Sequence, residues 1–300
     1  MKFLNLVYTG RNTLALYLGG LATIIVAYIL GSLPFVFDLS LNFPTLVFDP
    51  NSPSFIATYG STRFLVAMLL PFIVVFFSLL LYLRWAHKRS LNSLITSSQA
   101  IRWKRFFGFA FFLLFFFSAI SAIELWFNDD LNFISWNFNP SQFWPLFLVT
   151  LFMLPIQAAT EELIFRVYLF QGLYLRLKKV WISIFLSSFM FAVMHFSNPE
   201  ISQLGPGLLL YYFMAGCFLA LISIKSEGLE LALAFHTVNN LFGALIISSN
   251  WQVFHTQALF IDSRPPGSLM IQLATGLFTF CALYFLLALK YKWKAFKLLD

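Results

Sequence analysis

The stretch FFGFAFFLLFFFSAISAI, residues 106–123, decides the fold. It runs 18 residues without a charge. A run of that length and apolarity crosses the hydrocarbon core of a bilayer as a helix. The rest of the chain is of the same kind. Of its 300 residues 60% are hydrophobic, 10% are charged and 40 are phenylalanine, which on a soluble surface would drive aggregation. The mean hydropathy is +0.82. Lipid accepts only helices or closed barrels as spanning structures, because every backbone polar group must be satisfied internally. Barrel strands alternate apolar and polar residues, and no such alternation is present. The reading is an all-α, polytopic membrane helical bundle, with 1–300 forming a single integral membrane domain.

About eight spans are expected, near 13–35, 63–84, 105–127, 143–160, 180–197, 206–224, 229–249 and 267–290. The first is read as a retained span, since it exceeds a signal-peptide core and no small-residue cleavage site follows. The segment 161–178 continues the fourth helix, with a kink expected at Pro155. The net charge of +7 sits in short clusters between apolar runs, where it sets topology and is no footprint for nucleic acid. Residues 84–105 carry Arg84, Lys88, Arg89, Arg102, Lys104 and Arg105. Arg176, Lys178 and Lys179 form a second basic site, and the tail KYKWKAFK (290–297) a third. Loops near Asp38, Asp49, Asp129, Asp130 and Asp262 are poor in lysine and arginine. This pattern places both termini in the cytoplasm. The segment 36–62 reads as an irregular outer connector. Cys217 and Cys281 read as small core residues, with neither a disulfide nor a thiolate metal site suggested.

Ionisable residues inside a membrane are expensive and mark function by default. Here they gather in the second half. TEELIFR (160–166) supplies Glu161, Glu162 and Arg166, FAVMH (191–195) supplies His195, and HTVNN (236–240) supplies His236 and Asn240. Glu162 and Arg166 are four apart, share a helix face and can pair. Glu161 points about 100° away and needs another partner. His236 and Asn240 also share a face. Each motif has a bland alternative: a shared ion pair, a histidine satisfied near a helix end, or a polar pair gluing two helices. Together they suit hydrolysis of an amide within the membrane. A carboxylate such as Glu161 can serve as general base for water, and His195 can hold that water or shuttle its proton. His236 and the amide of Asn240 can donate to the developing oxyanion.

EELIFR, FAVMH and HTVNN resemble the EExxxR, FxxxH and HxxxN motifs of the CPBP family of intramembrane endopeptidases (CAAX protease and bacteriocin-processing, or Abi). The likeness covers roughly 141–250, the expected catalytic core. It implies a helical bundle with a cavity open to the cytosol. It implies that Glu161 and His195 activate water, that His236 and Asn240 form the oxyanion hole, and that Glu162 and Arg166 orient the site. Many members place glycine after the arginine, where this chain has Val167. The implied partners are the lipid bilayer and a peptide or protein substrate, with or without a lipid anchor. The implied location is the cell membrane, as a multi-pass protein of a bacterium. No cofactor is required by these roles. Zinc is possible on Glu161, His195 and His236 as a His₂Glu set, although HExxH is absent.

The expected topology carries one difficulty. It puts His195 near the outer end of its span and His236 near the inner end of its own, roughly 10 Å apart along the membrane normal. Two rival functions would use the same residues differently. An ion-coupled transporter would use the same residues as a proton pathway, but transporters repeat their polar elements in both halves. A non-catalytic scaffold or immunity protein of the same family keeps the motifs without the activity.

Overall fold

The computed structural model describes residues 2–49, 52–127 and 133–294. Asp129, Asp130 and residues 295–297 of the basic tail lie outside these ranges. The long apolar runs form helices α2 (Leu14–Asn42), α4 (Ser61–Trp85), α6 (Trp103–Phe127), α7 (Pro140–Glu162), α11 (Leu209–Ser226) and α13 (Leu269–Lys290). Several begin on a side-chain cap. The oxygens of Thr13, Asn139 and Ser268 accept the first free N–H groups of α2, α7 and α13.

Among the described residues, six helices rather than eight are long and apolar enough to cross a membrane. The segment expected to span 180–197 forms α9 (Val180–Val193), only 14 residues long. Its end is local chemistry. The N–H groups of His195 and Phe196 turn back onto the carbonyls of Ala192 and Val193. Asn198 then takes an extended ψ of 143° ahead of Pro199. The segment expected over 229–249 forms α12 (Glu230–Leu241), of 12 residues, followed by a π-helical turn, Phe242–Ile246. The fourth helix continues as expected, with Pro155 inside α7, through a π-helical stretch, Leu163–Leu169, into α8 (Phe170–Leu177).

The outer segment 36–62 is more regular than its sequence suggests. α2 extends through it to Asn42, and Pro53–Tyr59 form α3. Asp38 pairs with Arg63 and accepts from the Tyr59 hydroxyl, and the rings of Phe35, Phe55, Tyr59 and Phe64 pack together. A small sheet was not anticipated. β3 (Phe260–Asp262) lies between β1 (Ile134–Trp136), antiparallel to it, and β2 (Ile247–Ser249), parallel to it. It ties the chain between α6 and α7 to the chain between α12 and α13.

The basic loops meet at the opposite end. Arg11 N–H donates to the His87 carbonyl at 2.7 Å, and Arg176 Nη2 to the Asn12 carbonyl at 3.2 Å. Lys225 Nζ donates to the Lys294 carbonyl at 2.6 Å, and Arg105 lies 4.9 Å over the Tyr291 ring. Arg89 is buried there, bonded among the described residues only to neutral oxygens of Gln171 (3.0 Å) and Ser93 (2.7 Å), and burial pushes its guanidinium down to about 10.

α2 packs on α4, α4 on α7, α9 on α11, α6 on α12, and α11 on α13. Two crossings depend on glycine. A Cβ at Gly31 would lie 2.6 Å from the Pro71 Cα, and one at Gly216 would lie 2.9 Å from Ser188 Cβ. Cys217 is half-buried, whereas Cys281 is exposed on the outer face of α13 and is no core residue.

Candidate active site

The two adjacent glutamates close α7, and Arg166 lies within the π-helical stretch that follows. Such stretches recur at functional sites because they turn successive side chains out of ordinary helical register. Glu162 and Arg166 are both essentially inaccessible, and Arg166 Nε stands 3.2 Å from Glu162 Oε2. A buried guanidinium needs this pairing, since either charge alone would be strongly destabilising. Its plane also lies 4.5 Å from the Phe191 ring centroid, a cation–π contact.

The second carboxylate oxygen of Glu162 accepts from His236 Nδ1 at 2.8 Å. A carboxylate bonded in this way fixes the proton on Nδ1. The other ring nitrogen, Nε2, stands 3.4 Å from Glu161 Oε2, an oxygen that takes no hydrogen bond. Glu161 therefore faces away from the ion pair, as the helical period requires. Its partner is Gln157, one turn earlier, whose Nε2 donates to Glu161 Oε1 at 2.6 Å. Gln157 Oε1 in turn accepts from Asn240 Nδ2 at 2.9 Å, and Asn240 Oδ1 accepts from Asn239 at 3.2 Å. Two polar chains thus meet inside a hydrophobic core, Arg166–Glu162–His236 and Glu161–Gln157–Asn240, with 3.4 Å between His236 Nε2 and Glu161 Oε2.

His195 is brought alongside but not bonded to either glutamate. Its Nδ1 meets the Phe191 carbonyl at 2.8 Å. A carbonyl only accepts, so Nδ1 carries the proton and Nε2 of the neutral ring is left as an acceptor. The ring stacks on Tyr212 with centroids 4.0 Å apart. Phe191 bridges the two histidines, its ring centroid 4.7 Å from His195 and 6.2 Å from His236. The separation expected along the membrane normal is closed because α9 stops early and turns back.

The structure adds residues that sequence reasoning missed. Gln157 carried a signal, being an amide in an apolar span four residues before Glu161. Glu200 and Tyr212 carried none. Glu200 is buried and accepts from Asn198 at 3.1 Å and from the Tyr212 hydroxyl. Glu230 is also buried. It opens α12, where its carboxylate receives Arg102 Nε at 2.8 Å and Nη2 at 2.6 Å.

Among the described residues, no three histidine, cysteine, aspartate or glutamate side chains group as metal ligands. In the set Glu161, His195 and His236, His236 commits Nδ1 to Glu162 and His195 commits Nδ1 to backbone, which leaves Nε2 of each ring uncommitted, as in a metal-ligating histidine. The arrangement can hold and move protons: it offers one unbonded carboxylate oxygen on Glu161, one free imidazole nitrogen on His195, and the second N–H of Asn240.

The family described as type II CAAX prenyl endopeptidase Rce1-like matches residues 140–242. That segment begins with α7 and ends just after α12, so it contains every motif residue. The uncharacterized protein YyaK of Bacillus subtilis (strain 168) is 28% identical over 250 residues, 82% of this chain and 82% of that one. No solved structure matches.

Proposed function

We propose, from the premise that residues 140–242 are of the type II CAAX prenyl endopeptidase Rce1-like family, that this multi-pass membrane protein is an intramembrane endopeptidase of a bacterial cell membrane. Its substrates are membrane-associated or lipidated peptides, and its basic end faces the cytoplasm. The observation that carries the reading is the hydrogen bond from Gln157 to Glu161 Oε1, which leaves Oε2 unbonded beside His236.

In this reading Glu161 Oε2 takes a proton from the attacking water as its oxygen bonds to the scissile carbonyl carbon. His195 Nε2 accepts a hydrogen bond from the same water and orients it. The oxyanion that forms receives the second N–H of Asn240 and, when protonated, His236 Nε2. The proton then passes from Glu161 to the leaving amine as the carbon–nitrogen bond breaks. Glu162 and Arg166 do no chemistry. They fix the ring of His236, as the second partner of a catalytic imidazole commonly does.

The test is proteolysis in liposomes with a quenched library of lipidated and unlipidated peptides, comparing wild type with Glu161→Ala and His195→Ala. Loss of a general base lowers the rate by about 10²–10⁴-fold. Cleavage retained in Glu161→Ala would place the base elsewhere. A wild type that cleaves nothing in the library would favour a scaffold or immunity role.

A further inference from the structure

α12 presents two faces offset by one residue. His236 and Asn240 face the polar network, while Phe235 and Asn239 face a separate groove of about 170 Å³. The groove lies between α6, which supplies Phe117, and α13, which supplies Gln272, Thr275 and Thr279. These α13 residues follow helical spacing and so form one polar stripe on an otherwise apolar span. Gly276 sits within that stripe and lets the Tyr211 ring pack flush against the helix, where a Cβ would lie 2.6 Å from it.

The chemistry of this lining is specific. Thr275 satisfies its hydroxyl on the Ile271 carbonyl at 2.8 Å. Among the described residues, the Gln272 amide and the Thr279 hydroxyl make no hydrogen bond. Polar groups left unmatched against hydrocarbon are costly, so such a stripe is built to meet a polar chain. The lining has no charge, and aromatic rings form its walls. Its volume is close to that of a cavity able to hold one benzene ring, about 150 Å³. It is well below the roughly 300–1,000 Å³ of a site for a larger ligand. The Asn239–Asn240 bond of 3.2 Å links this groove to the amide assigned to the oxyanion.

We infer that the groove is a specificity subsite of the endopeptidase. It takes one large uncharged side chain of the substrate, aromatic or branched aliphatic, beside Thr279, from an extended peptide whose backbone bonds to Gln272 and Asn239. The lipid anchor of a lipidated substrate stays outside it. This inference rests on the protease reading.

Two readouts separate the groove from that reading. In the first, peptides varied from alanine to phenylalanine at each position near the cleavage site are cleaved by wild type, Thr279→Phe, which fills the groove, and Thr279→Val, which keeps its volume. Thr279→Phe is expected to lower kcat/KM by about 10-fold or more for the large side chain at one position and to spare alanine there. Thr279→Val is expected to keep the size preference. A uniform loss across side chains, or no loss, would overturn the subsite. In the second, Glu161→Gln protein in nanodiscs is irradiated with peptides carrying a diazirine at the same position. Crosslinks are expected at Gln272, Thr275 or Asn239 and should disappear in the Thr279→Phe background. Crosslinks elsewhere, or none, overturn the subsite while leaving any measured cleavage intact. Groove crosslinks without cleavage by wild type would keep the binding site and sink the protease reading.

Discussion

Only 11% of the most apolar stretch of α6 is buried, whereas α12, which packs against it, buries Leu231, Ala232, Phe235, His236 and Asn240 along most of its length. α6 is 25 residues long and holds Phe115 74% exposed; α12 is 12 residues long and carries two of the candidate site's groups. In water the more apolar helix would be the interior one. Here the order is reversed, because lipid is the apolar solvent and the protein interior is where polar groups find partners. Hydropathy therefore marks the helices that hold the bundle in the membrane. Buried polarity marks the helices that do its work.

Substitutions can break this contrast, and their effects should descend in order. Arg166→Met leaves Glu162 buried without its cation and is expected to cost about 3–5 kcal/mol. Thermal unfolding in detergent reads this loss, and adding Glu162→Gln should recover part of it. Glu230→Gln removes the charge-assisted bonds from Arg102 that hold the start of α12, at about 1.5–3 kcal/mol. If α12 is held by its apolar packing alone, the same scan will show no shift. Gln157→Leu keeps the volume but frees Glu161 Oε1 and Asn240. Cleavage should fall roughly 10-fold, a cost of about 1.4 kcal/mol, with little change in melting. Phe115→Leu on the lipid face of α6 should stay within about 0.5 kcal/mol of wild type. A large effect there would mean that α6 meets a partner rather than lipid.

The same contrast explains what could be read in advance. The long helices were legible because a bilayer demands long uninterrupted apolar runs. α12 was overestimated because the turn that ends it, Phe242–Ile246, is apolar, so hydropathy runs through the boundary, and α9 because Met194 and Phe196 carry apolar character past its last residue. Glu161, Glu162, Arg166, His195, His236 and Asn240 stood out as polar exceptions. Their pairing did not: helical spacing gave Glu162 with Arg166, but only the fold shows His236 bonded to Glu162 and Asn240 reaching Glu161 through Gln157. The buried role of Glu230 was hidden because its partner, Arg102, is 128 residues away. The sheet was hidden because three-residue strands carry too little periodicity to register.

The shortness of α9 and α12 also bears on how the protein is made. Helices of 14 and 12 residues rise about 21 and 18 Å, well short of a hydrocarbon core of about 30 Å. Neither is a good free-standing candidate for insertion as it leaves the ribosome. α12 enters with a glutamate at its head, and the arginine that neutralises it was synthesised 128 residues earlier. The first helices must therefore already be in the bilayer, holding Arg102 in place, before the later polar helix can settle. The order of synthesis thus makes the apolar half of the chain a scaffold on which the polar half is assembled.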